Sequence, residues 1–167
     1  FVQFYVWVLR GTPILLQLYF FWIFLPRATG IKIPDSTCII IALIVNASSY
    51  VSEIIRAGIQ AVDIGQTEAA RSLGMTARNT MTKIILPQAV KNILPALGNE
   101  FITMIKQASL ASVFFINELT TSYKTVASAT FRQVESIIIA GIIYLLVTTI
   151  LGRIMAYAEW RMKQNER

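Results

Sequence analysis

Thirteen polar or charged side chains recur at helical spacing inside stretches that are otherwise apolar. Asn46, Ser49, Tyr50, Glu53, Arg56 and Gln60 fall within about 120° of one helical face, as do Gln88, Asn92, Asn99, Glu100, Thr103, Lys106 and Gln107 farther along. The face opposite the second set reads Phe101, Met104, Ile105 and Ala108. Carboxylate, ammonium and carboxamide groups gathered on one face offer the contacts that hold a small polar solute. Covalent and metal chemistry have no comparable footing. The chain has no His, which excludes Ser-His-Asp and zinc-hydrolase arrangements, and its one Cys, Cys38, cannot form a disulfide within the chain. A phosphate loop of the GxxxxGK[ST] kind is also absent. No catalytic residue, resident cofactor or metal ligand set is expected.

The elements that carry these stripes are membrane helices. Of 167 residues, 55% are hydrophobic and 14% charged, against roughly 25% charged in a soluble domain. Cys38 to Ile55 holds one charge, Glu53; Ile84 to Ile116 holds Lys91, Glu100 and Lys106; Ser136 to Ala158 holds Arg153. A helix of ~20 mostly apolar residues crosses ~30 Å of hydrocarbon, so each block qualifies as a span. A fourth, Ile14 to Leu25, is shorter; Thr12 is a candidate cap and Pro13 a candidate start, with the helix running past Pro26. Phe1 to Arg10 then reads as a separate interfacial piece. The fold class expected is an all-α polytopic membrane helix bundle of about four spans, a single transmembrane domain over residues 1–167. Because the chain opens on Phe1 amid an apolar pattern, an N-terminal portion is expected to precede it.

A charge at the bilayer centre costs about 2.5–3.5 kcal/mol on insertion scales, so Glu100 and Lys106 must face protein or water. Two readings are compatible with the stripes. In one they are glue between helices, with Glu53 and Arg56 paired at i,i+3. In the other, Asn46, Ser49, Glu53, Asn99, Glu100, Thr103, Lys106 and Gln107 line a solute pathway, and the group around Glu100, Lys106 and Gln107 favours this. Pro95 and Gly98 loosen the same helix, either as a break beside a cavity or as a packing kink.

Charge placement sets the topology. Arg10, Arg56, Arg71, Arg78, Lys83, Lys91, Arg153, Arg161, Lys163 and Arg167 fall on or beside one membrane face; Arg27, Lys32, Lys124 and Arg132 fall on the other. Ten against four places the central loop and the C-terminus in the cytoplasm. The net charge of +6 therefore reflects topology, and no nucleic-acid partner is expected.

That central loop, residues 61–87, contains EAARSLGMTARNTMTKIILP, Glu68 to Pro87. Thr67 is the better cap for a short helix with Glu68 in its first turn, Gly74 marks its end, and Thr76 caps a second helix running to Leu86. Pro87 then forces a new start or bend. Ala69 and Ala70 form a small-residue patch that lets another backbone approach.

Glu68-Ala69-Ala70, three residues, Gly74, nine residues, Ile84, one residue, Leu86-Pro87 resembles the EAA signature of permease subunits of ATP-binding cassette (ABC) importers at every position. RGTPILLQLYFFWIFLP, ASSYVSEIIRAGIQAV and LPQAVKNILPALGNEFITMIKQASLAS resemble segments of the polar amino-acid subgroup, so that the likeness covers nearly the whole chain. The resemblance implies a five-span core, its first span preceding this chain, in a bacterial plasma (inner) membrane. It implies a second permease subunit, identical or related, cytoplasmic ABC ATPase subunits that bind ATP and Mg, and an external solute-binding protein delivering an amino acid. Glu68, Ala69, Ala70 and Gly74 are then the ATPase-coupling residues. Many relatives carry an acidic residue after the lysine matching Lys106; Gln107 stands here, which argues against a pocket tuned to cationic amino acids. Alternatives are a permease for methionine or an opine, or a membrane scaffold recruiting a cytoplasmic protein. Only a transporter needs Glu100 and Lys106 to line a solvent-connected cavity.

Overall fold

The computed structural model describes Val2 to Gln164, and among these residues every regular element is helical. Eight α-helices follow in order: α1 (Val2–Gly11), α2 (Ile14–Thr29), α3 (Asp35–Gln60), α4 (Ile64–Ser72), α5 (Ala77–Thr80), α6 (Leu86–Gln107), α7 (Leu119–Thr130) and α8 (Gln133–Gln164). A π-helical stretch, Met81–Ile85, joins α5 to α6, and a 3₁₀ stretch, Ala108–Phe114, follows α6. By length and composition α3 and the Gln133–Met162 part of α8 are each able to cross a membrane. α1 and α2 pass that test only as a pair, bent by 110°. At 22 residues α6 has the length but carries Lys91, Glu100 and Lys106. The apolar block 84–116 is thus not one helix: it changes pitch at Ala108.

Two compact units divide the chain: one comprises residues 1–50 and 102–151, the other residues 51–101 and 152–167. In the first, Leu18, Ile39, Ala42, Ala111 and Phe114 form a buried core. Tyr19 and Trp22 flank Phe114, with ring centroids 4.8 and 5.5 Å away. Trp22 donates its indole N–H to Asp35 Oδ1 (2.8 Å), tying α2 to the start of α3.

At the α1–α2 bend the expected Thr12 cap is replaced. Pro13 is the N-cap residue of α2 and makes no side-chain cap bond. The Thr12 hydroxyl instead donates back to Val8 O (2.9 Å) and accepts from Gln17 Nε2 (2.8 Å). Helix α2 does run past Pro26, ending where Gly30 adopts a left-handed φ of 67°.

Phe115 and Phe131 also adopt the left-handed region, at φ 55° and 58°, closing the 3₁₀ stretch and α7 respectively. A residue with a Cβ is disfavoured there by roughly 1–2 kcal/mol. Helix α7, which composition did not reveal, starts at Glu118, whose carboxylate accepts from the Thr120 and Thr121 amides at 2.7 Å each. The Tyr144 hydroxyl on α8 reaches the same carboxylate at 3.2 Å.

In the second unit close helix approach depends on two glycines. A Cβ at Gly58 would collide with the Ile93 side chain, and one at Gly98 would lie 2.6 Å from Met155 Sδ. Gly98 therefore marks the approach of α8 to α6. Neither it nor Pro95 breaks α6, which is continuous through both, so the packing reading holds for Gly98.

Candidate functional site

The loop between α3 and α6 is an elbow of α4, α5 and the π-helical stretch, with α4 packed on the other two. Its first cap differs from expectation. Asp63, not Thr67, is the N-cap, its Oδ1 accepting from the Gly65 amide at 2.6 Å. The aspartate carboxylate reaches the amide two residues on, as Asx turns do, and starts the helix four residues earlier than expected. Glu68 is consequently the fifth helical residue and not in the first turn.

The other elbow signals are formed as expected. Gly74 has φ 82°, the Met75 amide bonds Ala70 O (3.1 Å) and the Gly74 amide bonds Arg71 O (3.0 Å), the double bond of a Schellman motif. Arg71 Nη1 adds a bond to Met75 O at 2.7 Å. Thr76 caps α5 by accepting from the Asn79 amide at 3.3 Å. Pro87, however, interrupts nothing: it is the second residue of α6, where the π-helical stretch passes directly into the next helix. The Leu86 amide bonds back five residues to Met81 O, widening the turn just where a proline ring would otherwise press on the carbonyl four residues earlier. Helical structure is thereby unbroken from Ala77 to Gln107.

Within the elbow Ala70 is buried, whereas Glu68, Ala69 and Gly74 are exposed. Leu73, 84% exposed, and Ile64 add apolar surface beside them. The small Ala70 side chain lets α4 lie close on its own elbow; the remaining three residues are available to a partner.

The stripe residues divide between the two units. In the first, Asn46 and Ser49 are buried. Asn46 Nδ2 donates to Gln17 Oε1 (2.9 Å), and Gln17 Nε2 donates to Leu9 O at 2.7 Å and Thr12 O at 3.2 Å. Asn46 thus belongs to a buried junction joining the α1–α2 bend to α3, and Ser49 donates to Asn46 O at 2.7 Å. Gln17 was missed from sequence, although a single amide in ILLQLYFFWIFL was its signal. Thr103 and Gln107 are half-buried and Lys106 is exposed in the same unit. In the second unit, Glu53 and Arg56 form the expected i,i+3 ion pair. Arg56 Nε bonds Glu53 Oε2 (2.9 Å) and Nη1 bonds Gln60 Oε1 (2.6 Å). Asn99 is exposed; Glu100 is half-buried, with Oε1 enclosed and lacking a hydrogen-bond partner among the described residues. A buried carboxylate oxygen without a donor is costly; among the described stripe residues Glu100 Oε1 shares this lack of a partner with Asn46 Oδ1. Among the described residues no group of three His, Cys, Asp or Glu is placed to hold a metal.

A family described as the inner membrane component of binding-protein-dependent transport systems matches residues 1–164. This chain belongs to that family. Together with the apolar helices, membership makes it a membrane protein. Among its relatives in this family, the arginine transport system permease protein ArtQ of Bacillus subtilis (strain 168) is 41% identical over 164 residues, covering 98% of this chain and 75% of that protein. The nopaline transport system permease protein NocM of Agrobacterium fabrum (strain C58) is 39% identical over 172 residues, covering 98% of this chain and 71% of that protein. A crystal structure of an amino acid ABC transporter with histidines superposes with a TM-score of 0.90 at 47% identity, covering 95% of this chain and 74% of the other.

Proposed function

We propose that this chain is the transmembrane permease subunit of an ABC importer for polar amino acids in a bacterial plasma (inner) membrane. The observation that carries the reading is the near-full-length likeness to an amino acid ABC transporter, at 47% identity and a TM-score of 0.90. Two permease subunits, identical or related, form the pathway, and an external binding protein delivers the substrate. The central elbow and C-terminus face the cytoplasm, in keeping with the excess of Lys and Arg on that face.

The chain itself is not an enzyme. ATP and Mg belong to cytoplasmic ATPase subunits, and the elbow is their docking point. Glu68, Ala69 and Gly74 form its outer surface while the buried Ala70 sets the spacing beneath it. Movement of the ATPase subunits enters at α4 and passes through the unbroken helical run into the stretch bearing Asn99, Glu100, Thr103, Lys106 and Gln107. There, alternating outward and inward openings expose the solute pathway, as rocking bundles do in other transporters. The unpartnered Oε1 of Glu100 is ready to accept an N–H from a passing amino acid. Asn46, Ser49 and Glu53 are the weaker members of that pathway, since packing accounts for the bonds they make.

An opine is the second reading, favoured by the likeness to the nopaline permease. The deciding experiment is ATP-driven uptake into vesicles by the complete complex, offered arginine, glutamine, histidine, methionine and nopaline. Accumulation of a polar amino acid supports the reading; accumulation of nopaline or methionine alone overturns it.

A further inference from the structure

The last turns of α8 carry a set of side chains that neither packing nor the solute path uses. At 100° per residue Arg153, Tyr157, Trp160 and Arg161 fall within about 100° of one helical face, and all four are exposed. The Tyr157 and Trp160 rings are stacked with centroids 5.8 Å apart, and the Arg161 guanidinium lies 5.9 Å from the centre of the Tyr157 ring. Stacking occupies the flat face of a guanidinium and leaves its in-plane N–H groups to bind a phosphate. Among the described residues neither Arg153 nor Arg161 has a carboxylate partner. Glu159 falls on the opposite side of the helix by the same spacing, with Met155, whose sulfur packs where Gly98 leaves room. From residue 153 onward the chain carries Arg153, Arg161, Lys163 and Arg167 against Glu159 and Glu166, so the segment is basic in sum.

Toward the N-terminus of α8 the same stripe continues, by helical spacing, through Ile139, Ile142, Leu146 and Ile150, all exposed. The helix rises about 32 Å from Ser136 to Tyr157, against about 30 Å of hydrocarbon. The stacked rings therefore fall at the edge of the bilayer, where Tyr and Trp concentrate. Arg153 starts about 6 Å short of that edge and reaches it by extending its stem. We propose that Arg153, Tyr157, Trp160 and Arg161 form a binding site for an anionic glycerophospholipid of the cytoplasmic leaflet, with an acyl chain along the apolar stripe and the phosphate on the two guanidiniums. The choice of leaflet rests on the orientation proposed above; the site itself rests on α8. Two cations without a carboxylate on their face favour a headgroup of net negative charge over a zwitterionic one, whose own ammonium they repel. The apolar stripe favours a lipid over a free phosphate or an acidic protein, neither of which would use it.

The test places the complete complex in phosphatidylcholine vesicles doped with brominated phosphatidylglycerol or brominated phosphatidylcholine. Quenching of Trp160 is read as the fluorescence difference between the wild type and Trp160→Phe. At equal content the phosphatidylglycerol should quench more strongly. Arg153→Gln with Arg161→Gln should lower that preference about tenfold or more. Arg153→Lys with Arg161→Lys keeps both charges and should keep most of the preference, which separates loss of charge from loss of folding. Equal quenching by the two lipids, or a preference unchanged in the Gln pair, overturns the site. Quenching by neither lipid shows the face to be covered by protein and overturns it as well. Amino-acid uptake by the same vesicles reports the permease reading independently. Uptake without a lipid preference overturns the site alone; a lipid preference without uptake of any amino acid overturns the permease reading alone.

Discussion

At Gly74 a φ of 82° turns the chain out of α4, and any residue with a Cβ is disfavoured there by about 1–2 kcal/mol. Gly74→Val, with its branched Cβ, should loosen the elbow, seen as faster amide exchange at Gly74 and Met75, and should separate ATP hydrolysis from uptake. Glu68→Lys reverses an exposed charge without touching the backbone. It should give the same separation with amide exchange unchanged; normal uptake per ATP in both variants would remove the elbow from the coupling path. Glu100 and Lys106 present a different question. Glu100→Gln keeps the shape and removes the charge, and Lys106→Ala removes an exposed ammonium. If either meets the solute, half-saturating substrate concentration or maximal uptake should change about tenfold or more, the size expected for losing a charged hydrogen bond. Unaltered uptake kinetics in both return these side chains to helix packing. The roles of Gly74 and Thr76 were legible in sequence because a left-handed turn and a hydroxyl cap are decided within four residues. Asp63 displaced Thr67 by an equally local contact, its 2.6 Å bond to Gly65, which preference for a hydroxyl cap obscured.

Among the elements, α1, α2 and α3 meet at a polar junction that sequence periodicity could not foresee. Gln17 bonds Leu9 O, Thr12 O and the Thr12 hydroxyl, and accepts from Asn46. Gln17→Leu strands these groups and should lower stability by about 1–3 kcal/mol or more, as measured by unfolding of the purified protein in detergent. Gln17→Leu with Asn46→Leu removes the stranded carboxamide as well and should recover part of the loss. No recovery would show that the two side chains do not act as a pair. Asn46 was legible as a buried polar residue, but its partner sits 29 positions away in the chain, and pairing at that separation is set by tertiary packing. Helix α7 was hidden for another reason. Its start depends on Glu118, a residue type seldom chosen as a cap, and its sequence LTTSYKTVASAT is too polar to register as a span. The apolar block 84–116 misled in the opposite sense, because composition does not report the change of pitch at Ala108.

For the molecule as a whole, charge placement makes a topological statement that labelling can check. Gln66 and Thr125 are exposed and the native Cys38 is fully buried. Cysteines introduced at 66 and 125 should therefore react with impermeant reagents from opposite sides of the membrane, and reaction from one side would overturn the orientation. The helical class and the long apolar segments were legible because bilayer thickness imposes them on composition. Which polar side chains meet the solute was not, since glue and pathway draw on the same residue types. The widened turn at Met81–Ile85 carries a consequence for engineering. It gives the helical run one residue more per turn than a plain α-helix, which sets the azimuth of the elbow against the stretch that bears Glu100. Returning that turn to ordinary pitch with every residue kept, as Pro87→Ala would favour, adds about one residue's rotation and swings the elbow by about 100°. Such a protein should still assemble in the membrane, yet its handle would point away from whatever grips it.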